Sequence, residues 1–264
     1  LQFSERQIEQ FSRQILLKEI GVNGQKKLMT SSIFMVGAGG LGSAALMYLA
    51  AAGIGHIGVI DSDQVDLSNL HRQILYRQND VGKSKIVSAK KTIHQINPDC
   101  RVDVFSERLG VENIRAIIHG YDLVLDGSDN FATRFLVADF CWFEKIPLIS
   151  AAAIGFEGQL LSVLPLQNSP CYRCFIPEPP DITPTCREAG VLGPVVGVMG
   201  SLQAIEAIKV LLCIGENLAH HLLIYKALKG EFRTVRRPAD PACPLCSDKP
   251  MITHLVEYGA VCHG

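Results

Sequence analysis

Through the first half of the chain, apolar runs of a few residues alternate with longer segments of helical period. "IFMV" (33–36) predicts a buried strand, Leu41 to Ala52 a helix ended by Gly53, and "HIGVID" (56–61) a second strand. Lys83 to Asn97 reads as a helix stopped by Pro98, "RVDVFS" as a strand, Val111 to His119 as a helix and "DLVLDG" (122–127) as a strand. A helix over Asn130 to Lys145 and a strand at "PLISAAA" complete the alternation. Strands separated by helices in this way predict a parallel sheet covered on both faces. After Gly155 the rhythm changes. "GQLLSVLP" is a strand, residues 175–190 are a Pro-rich loop, Pro194 to Leu212 is a helix, and "HLLIYKA" with "EFRTVRR" forms a hairpin around Lys229 and Gly230. The expected class is α/β, a parallel first half continued by a more antiparallel second half.

Composition narrows the functions available. With 264 residues, 48% of them hydrophobic, the chain can bury one large core. A net charge of −1 leaves no basic footprint, so nucleic acid is not expected as the main partner. The basic residues Lys226, Lys229, Arg233, Arg236 and Arg237 are expected on solvated faces of the late strands. The N-terminus lacks the apolar core of a signal peptide, and the most apolar run, Val191 to Ile214, is interrupted by Ser201, Gln203, Glu206 and Lys209. A cytoplasmic protein with no membrane partner is expected.

The cysteines matter by arrangement. "CYRC" sets Cys171 and Cys174 two residues apart, and "CPLC" repeats the spacing with Cys243 and Cys246, so two knuckles offer four thiolates, the donor set of a structural zinc site. The alternative is a redox C-x-x-C and an unrelated pair. Cys100, Cys141 and Cys213 lie in apolar surroundings and are expected to be buried thiols, whereas Cys186 stands in the Pro-rich loop beside Arg187.

"GAGGLGS" follows the first strand and opens a helix, with Gly37, Gly39 and Gly42 fitting G-x-G-x-x-G. Such a Rossmann-like loop lets backbone amides approach a phosphate at a helix N-terminus. Asp61 ends the next strand where an acidic side chain meets a ribose hydroxyl, for NAD or ATP alike. Beyond it stand Ser68, Asn69, His71 and Arg72, then Lys85, and at the end of "DLVLDG" Asp129 and Asn130. Cations that neutralise phosphate and a carboxylate that can hold Mg2+ make a kit for chemistry at phosphorus. Taken singly, Arg72 and Lys85 could be salt-bridged helix residues, Asp129 a helix cap and Asn69 a turn residue.

The segments "FSRQILL", "GAGGLGS", "DLSNLHRQILY", "LVLDGSDNFATR", "CYRC", "CREAGVLGPVVGVMGSLQAIEAIKVL" and "CPLC" together resemble the bacterial relatives of ubiquitin-activating enzymes, the MoeB, ThiF and HesA adenylyltransferases. The resemblance implies ATP as the nucleotide, with Gly40 in the loop, Asp61 on the ribose, Ser68, Asn69, Leu70, His71 and Arg72 as the S-N-L-x-R segment, Lys85 on phosphates, and Asp129 on magnesium. It implies Zn2+ on the four paired cysteines and a homodimer in which Arg13 reaches the neighbouring subunit's site. The partner it implies is a ubiquitin-like sulfur carrier protein with a C-terminal Gly-Gly, supplied with sulfur by a separate donor protein. Cys186 matches a cysteine that, in ThiF-like relatives, can become linked to the carrier's thiocarboxylate. "CREAGVLGPVVGVMG" leans toward the thiamine branch, with the molybdopterin-synthase small subunit as the alternative carrier and an NAD-dependent oxidoreductase as the remaining reading. The expected organisation is one domain over 1–247, a nucleotide-binding half at about 30–155 and a carrier-binding and zinc half at about 156–247, followed by a tail over 248–264 with no assigned element.

Overall fold

A computed structural model of the protein describes residues 2–179 and 190–258. Eight strands form one sheet in the order β3-β2-β1-β4-β5-β6-β7-β8. The strands are β1 (Ser32–Val36), β2 (His56–Ile60), β3 (Arg101–Phe105), β4 (Leu123–Asp126), β5 (Leu148–Ile154), β6 (Glu157–Val163), β7 (His221–Lys226) and β8 (Glu231–Arg236). The first five run parallel, and β6, β7 and β8 add antiparallel, as the change of rhythm after Gly155 predicts.

Side chains of a strand alternate between faces, so each central strand feeds two cores. Ile33 and Met35 of β1 enter one cluster, Phe34 and Val36 the other. The first cluster is covered by α3 (Gly40–Ala51), α4 (Lys85–Ile96) and α7 (Gly193–Leu212), the second by α5 (Ile114–Ile118) and α6 (Phe131–Phe143). Helix α7 is, by length and composition alone, apolar enough to cross a membrane. Here it packs on α3 and the sheet, and its buried Gln203 donates to the carbonyls of Asp126 (2.8 Å) and Ile149 (3.1 Å). Buried Glu206 accepts from Ser162 Oγ and the Leu218 amide, each at 3.0 Å.

Several expectations are corrected. Two helices unmarked in the sequence pattern precede the sheet, α1 (Glu5–Ile15) and α2 (Gly21–Thr30). Helix α1 starts at a Ser4–Gln7 capping box and carries Ile8, Phe11 and Ile15 at helical spacing, of which only Phe11 is buried. Arg237 is buried rather than solvated: its guanidinium donates to the carbonyls of Cys171, Ser162 and Ala219, each at 2.7 Å, which gathers three segments around one fixed charge. Cys213 is exposed, because it stands in the left-handed C-cap of α7 with φ of 57°, outside the apolar face that precedes it. Residues 248–258 also pack: Ile252 lies against the cysteine cluster, and Leu255 and Tyr258 against the second core.

Candidate functional site

The glycine loop joins β1 to α3 at the carboxyl edge of the parallel strands. Gly37 has φ of +88°, which an L side chain resists. A Cβ on Gly42 would stand 2.2 Å from the Gly37 carbonyl oxygen, so the turn closes only with glycine there. Gly39 is the N-cap and Gly40 the first residue of α3, whose leading amides face the loop. Asp61 fastens the loop from the next strand by accepting from the Ala38 amide (2.9 Å), while Tyr76 Oη donates to the Ala38 carbonyl (2.7 Å). Burial pushes the Asp61 carboxyl above its ordinary value, against the opposing pull of Lys85. Burial likewise raises the Tyr76 phenol.

Lys85 begins α4 and is buried, and its ammonium lies 2.7 Å from Asp63 and 3.8 Å from Asp61. Both carboxylates therefore hold the cation at the rim of the loop. A short 3-10 turn, Leu67–Asn69, carries the next residues: Asp66 accepts from the Ser68 amide (2.7 Å), and Asn69 Oδ1 accepts from the Asp66 amide (3.0 Å). Arg72 Nη1 folds back to the Ser68 carbonyl (2.9 Å) and sits 2.8 Å from His71 Nε2. Leu70 is half-buried and packs against the first core, and Ser68 and His71 are exposed. The N-terminus of α7 closes this wall, since a Cβ on Gly193 would lie 2.2 Å from the His71 carbonyl oxygen.

Opposite stands the loop after β4. Asn130 is the N-cap of α6, accepting from the Thr133 amide (2.9 Å), so the capping role weighed for Asp129 belongs to its neighbour. Asp129 is left exposed at the strand edge. The loop is braced from beneath by buried Asp126, which accepts from Ser128 Oγ (2.6 Å) and Ser150 Oγ (2.8 Å), and by Arg134, which donates to the carbonyls of Ser128 and Ala151. The sequence reading missed these supports, together with Tyr76. Asp126, Arg134 and Tyr76 lie inside the motifs that carry the family likeness, so their positions were marked although their roles were not.

Arg13 does not join its own glycine loop. Helix α1 is anchored where α3 ends: Gln14 donates to the Ala52 carbonyl (2.9 Å), and Phe11 covers Gly53. The loop lies at the other end of α3, which at 12 residues is about 18 Å long. Arg13 is exposed in the last turn of α1. Cys186 and Arg187 fall outside the described residues, as do Cys262 and His263.

The four paired cysteines converge. Cys171 and Cys243 sulfurs are 3.4 Å apart, Cys174 and Cys246 3.3 Å, and Cys171 and Cys174 3.9 Å, with all four within 4.8 Å of one another. These separations exceed the roughly 2.05 Å of a disulfide. They approach the edge of about 3.8 Å of a tetrahedron with Zn–S bonds of about 2.3 Å. A separate redox pair is thereby overturned, and the cluster could hold one metal ion. Within it, hydrogen bonds from Cys171 and Cys246 hold the Cys174 thiol low, and the reciprocal bond with Cys174 pushes Cys171 up.

With this geometry in view, similarities to known proteins are informative. The chain is 46% identical to a sulfur carrier protein adenylyltransferase of Thermus thermophilus over 99% of both chains. It is 46% identical to the adenylyltransferase and sulfurtransferase MOCS3 of Drosophila yakuba, over 97% of this chain and 57% of that longer one. The fold matches E. coli MccB, solved with MccA-N7isoASN, at a TM-score of 0.80 and 22% identity, over 91% of this chain and 75% of that one. The ThiF family profile matches residues 11–245, and the chain belongs to the ThiF family.

Proposed function

We propose that this protein adenylates the C-terminal Gly-Gly carboxylate of a small ubiquitin-like sulfur carrier protein. The carboxylate oxygen attacks the α-phosphorus of ATP, the bond from that phosphorus to the β-phosphate oxygen breaks, and acyl-adenylate and pyrophosphate result. The observation that carries the reading is the convergence of the glycine loop, Lys85 and Asp129 on one sheet edge, in a chain whose full-length relative bears that activity in its name. The step needs no covalent catalyst: it needs nucleophile and phosphorus in line, and charge to balance the phosphate oxygens. Amides of the loop and α3 hold phosphate, Asp61 the ribose, and Lys85 and Arg72 the growing charge, with Asn69 fixing the turn that bears Arg72. Mg2+ on Asp129 would supply further charge at the phosphates.

The carrier docks beside this site on Ile154 at the end of β5, Phe156 in the turn after it and Leu192 at the start of α7, all exposed apolar residues. Their turn is pinned by hydrogen bonds of Gly155 to Gly190 (2.9 Å) and Leu192 (3.0 Å). Zn2+ on the four cysteines is structural, because four thiolates leave no position for water. The site is composite: Arg13, remote from its own loop, serves the loop of a second copy. Sulfur is then transferred to the activated glycine, with thiamine synthesis as the favoured pathway. Cys186 has no part in adenylation, where the carrier's carboxylate is itself the nucleophile.

The test is ATP–pyrophosphate exchange with candidate carriers ending in Gly-Gly, ATP and Mg2+. Exchange is expected with a thiamine-type carrier, exchange only with a molybdopterin-synthase small subunit reassigns the pathway, and exchange with none refutes the reading.

A further inference from the structure

Gln73 is 3% exposed, and its side-chain oxygen Oε1 has no hydrogen-bond partner among the described residues. Its backbone is fixed on both sides, the amide donating to the Asn69 carbonyl (2.9 Å) and the carbonyl accepting from the Tyr76 amide (3.1 Å). The side chain faces the glycine loop. The point where a Gly39 Cβ would stand has Gln73 Nε2 as its nearest heavy atom, at 4.0 Å. Three other polar side chains beside this loop are paired, Asp61 with the Ala38 amide, Tyr76 with the Ala38 carbonyl and Lys85 with Asp63, and the buried Ser43 hydroxyl has no partner among the described residues. A buried acceptor left unpaired destabilises a fold, whereas an apolar side chain of the same shape would not. The chain nevertheless keeps such an amide above the N-terminus of α3, where an anion is favoured.

We infer that Gln73 is a nucleotide-binding residue whose side-chain amide completes its hydrogen bonds only with a nucleotide seated on the glycine loop. The amide nitrogen donates to a phosphate oxygen in front of Gly39, and the rotatable amide lets its oxygen take a hydroxyl or amino donor of the same nucleotide. The inference rests on the adenylation reading, because it takes ATP as the occupant. Gln73 lies one residue beyond the S-N-L-x-R segment and is distinguished from it by burial: Ser68 and His71 are exposed, whereas Gln73 is enclosed.

Gln73→Leu keeps the shape and removes both polar ends. If the amide serves the ligand, ATP affinity measured by calorimetry on the full chain with Mg2+ falls about tenfold to a hundredfold, the scale of a hydrogen bond to a charged group. The melting temperature without nucleotide stays level or rises. Gln73→Glu, which sets a carboxylate against phosphate, weakens binding at least as much. ATP affinity unchanged in Gln73→Leu overturns the inference, as does an affinity loss accompanied by a melting temperature several degrees lower, which assigns the amide to the fold. A wild-type protein that binds no ATP refutes the adenylation reading itself, and this inference with it.

Discussion

Asp61 holds its carboxyl where water is largely excluded, and its hydrogen bonds from Ala38 and Asp63 with the charge of Lys85 only partly offset that cost. Its folded pKa stands above the unfolded 3.8, so ionisation costs more in the folded chain than in the unfolded one. The penalty is complete above the folded pKa, shrinks as pH falls from there to 3.8, and is absent below 3.8. Asp61→Asn, which keeps an acceptor for the Ala38 amide, is therefore expected to melt above wild type at pH 7 and level with it near pH 3, while losing ATP binding. Melting curves across that range check the sign; a gain that persists in acid would show that the charge is not its source. A residue that weakens the fold where it serves the ligand is a common feature of binding sites.

At the scale of elements, two devices hold the region after β6. One is the cysteine cluster. Cys246→Ser removes one sulfur of four, and the expected outcome is a joint loss of bound zinc and of several degrees in melting temperature, read by metal analysis and calorimetry. Purified protein without zinc, in which the substitution changes nothing, would refute a structural metal. The other device is the segment after the second knuckle. Arg173, between the first two cysteines, is paired bidentately with Asp139 of α6 (2.8 and 2.7 Å) and donates to the Pro177 carbonyl (2.8 Å) and to Tyr258 Oη. Its guanidinium lies 4.6 Å from the Phe135 ring centre and 5.5 Å from that of Tyr258. Tyr258→Ala removes a ring from this stack, worth about 1–2 kcal/mol. The melting temperature should fall by about 2–6 °C, and Tyr258→Phe should fall less because the ring remains. Equal losses would place the whole effect in the hydroxyl.

The whole-molecule prediction concerns assembly. Arg13 and the glycine loop lie at opposite ends of α3, so a site that uses both draws them from two copies. Arg13→Ala and Asp129→Ala proteins are each expected to lose pyrophosphate exchange by a hundredfold or more, roughly the loss of one charge-stabilising group. Mixed, they should recover up to about a quarter of wild-type activity, because random exchange pairs half the chains as heterodimers and each heterodimer keeps one intact site of two. No recovery in a demonstrated heterodimer would place both residues in one subunit's site.

Local pattern alone determined the parallel β-α alternation, the glycine loop, the hairpin at Gly230 and the pairing of cysteines, because each depends on neighbours a few residues away: strand period, φ-permissive glycines, two-residue ligand spacing. The family motifs marked the loop, Asp61, Lys85 and Asp129 in the same way. Tertiary structure alone decided what depends on distant partners. Arg237 reads as one more basic residue of an exposed strand until three carbonyls from separate segments surround it. Cys213 reads as apolar until the left-handed cap turns it outward. Gln73 is an ordinary residue of a motif until burial leaves its side-chain oxygen without a partner among the described residues. Burial and hydrogen-bond satisfaction belong to the packed chain, and a linear pattern records neither.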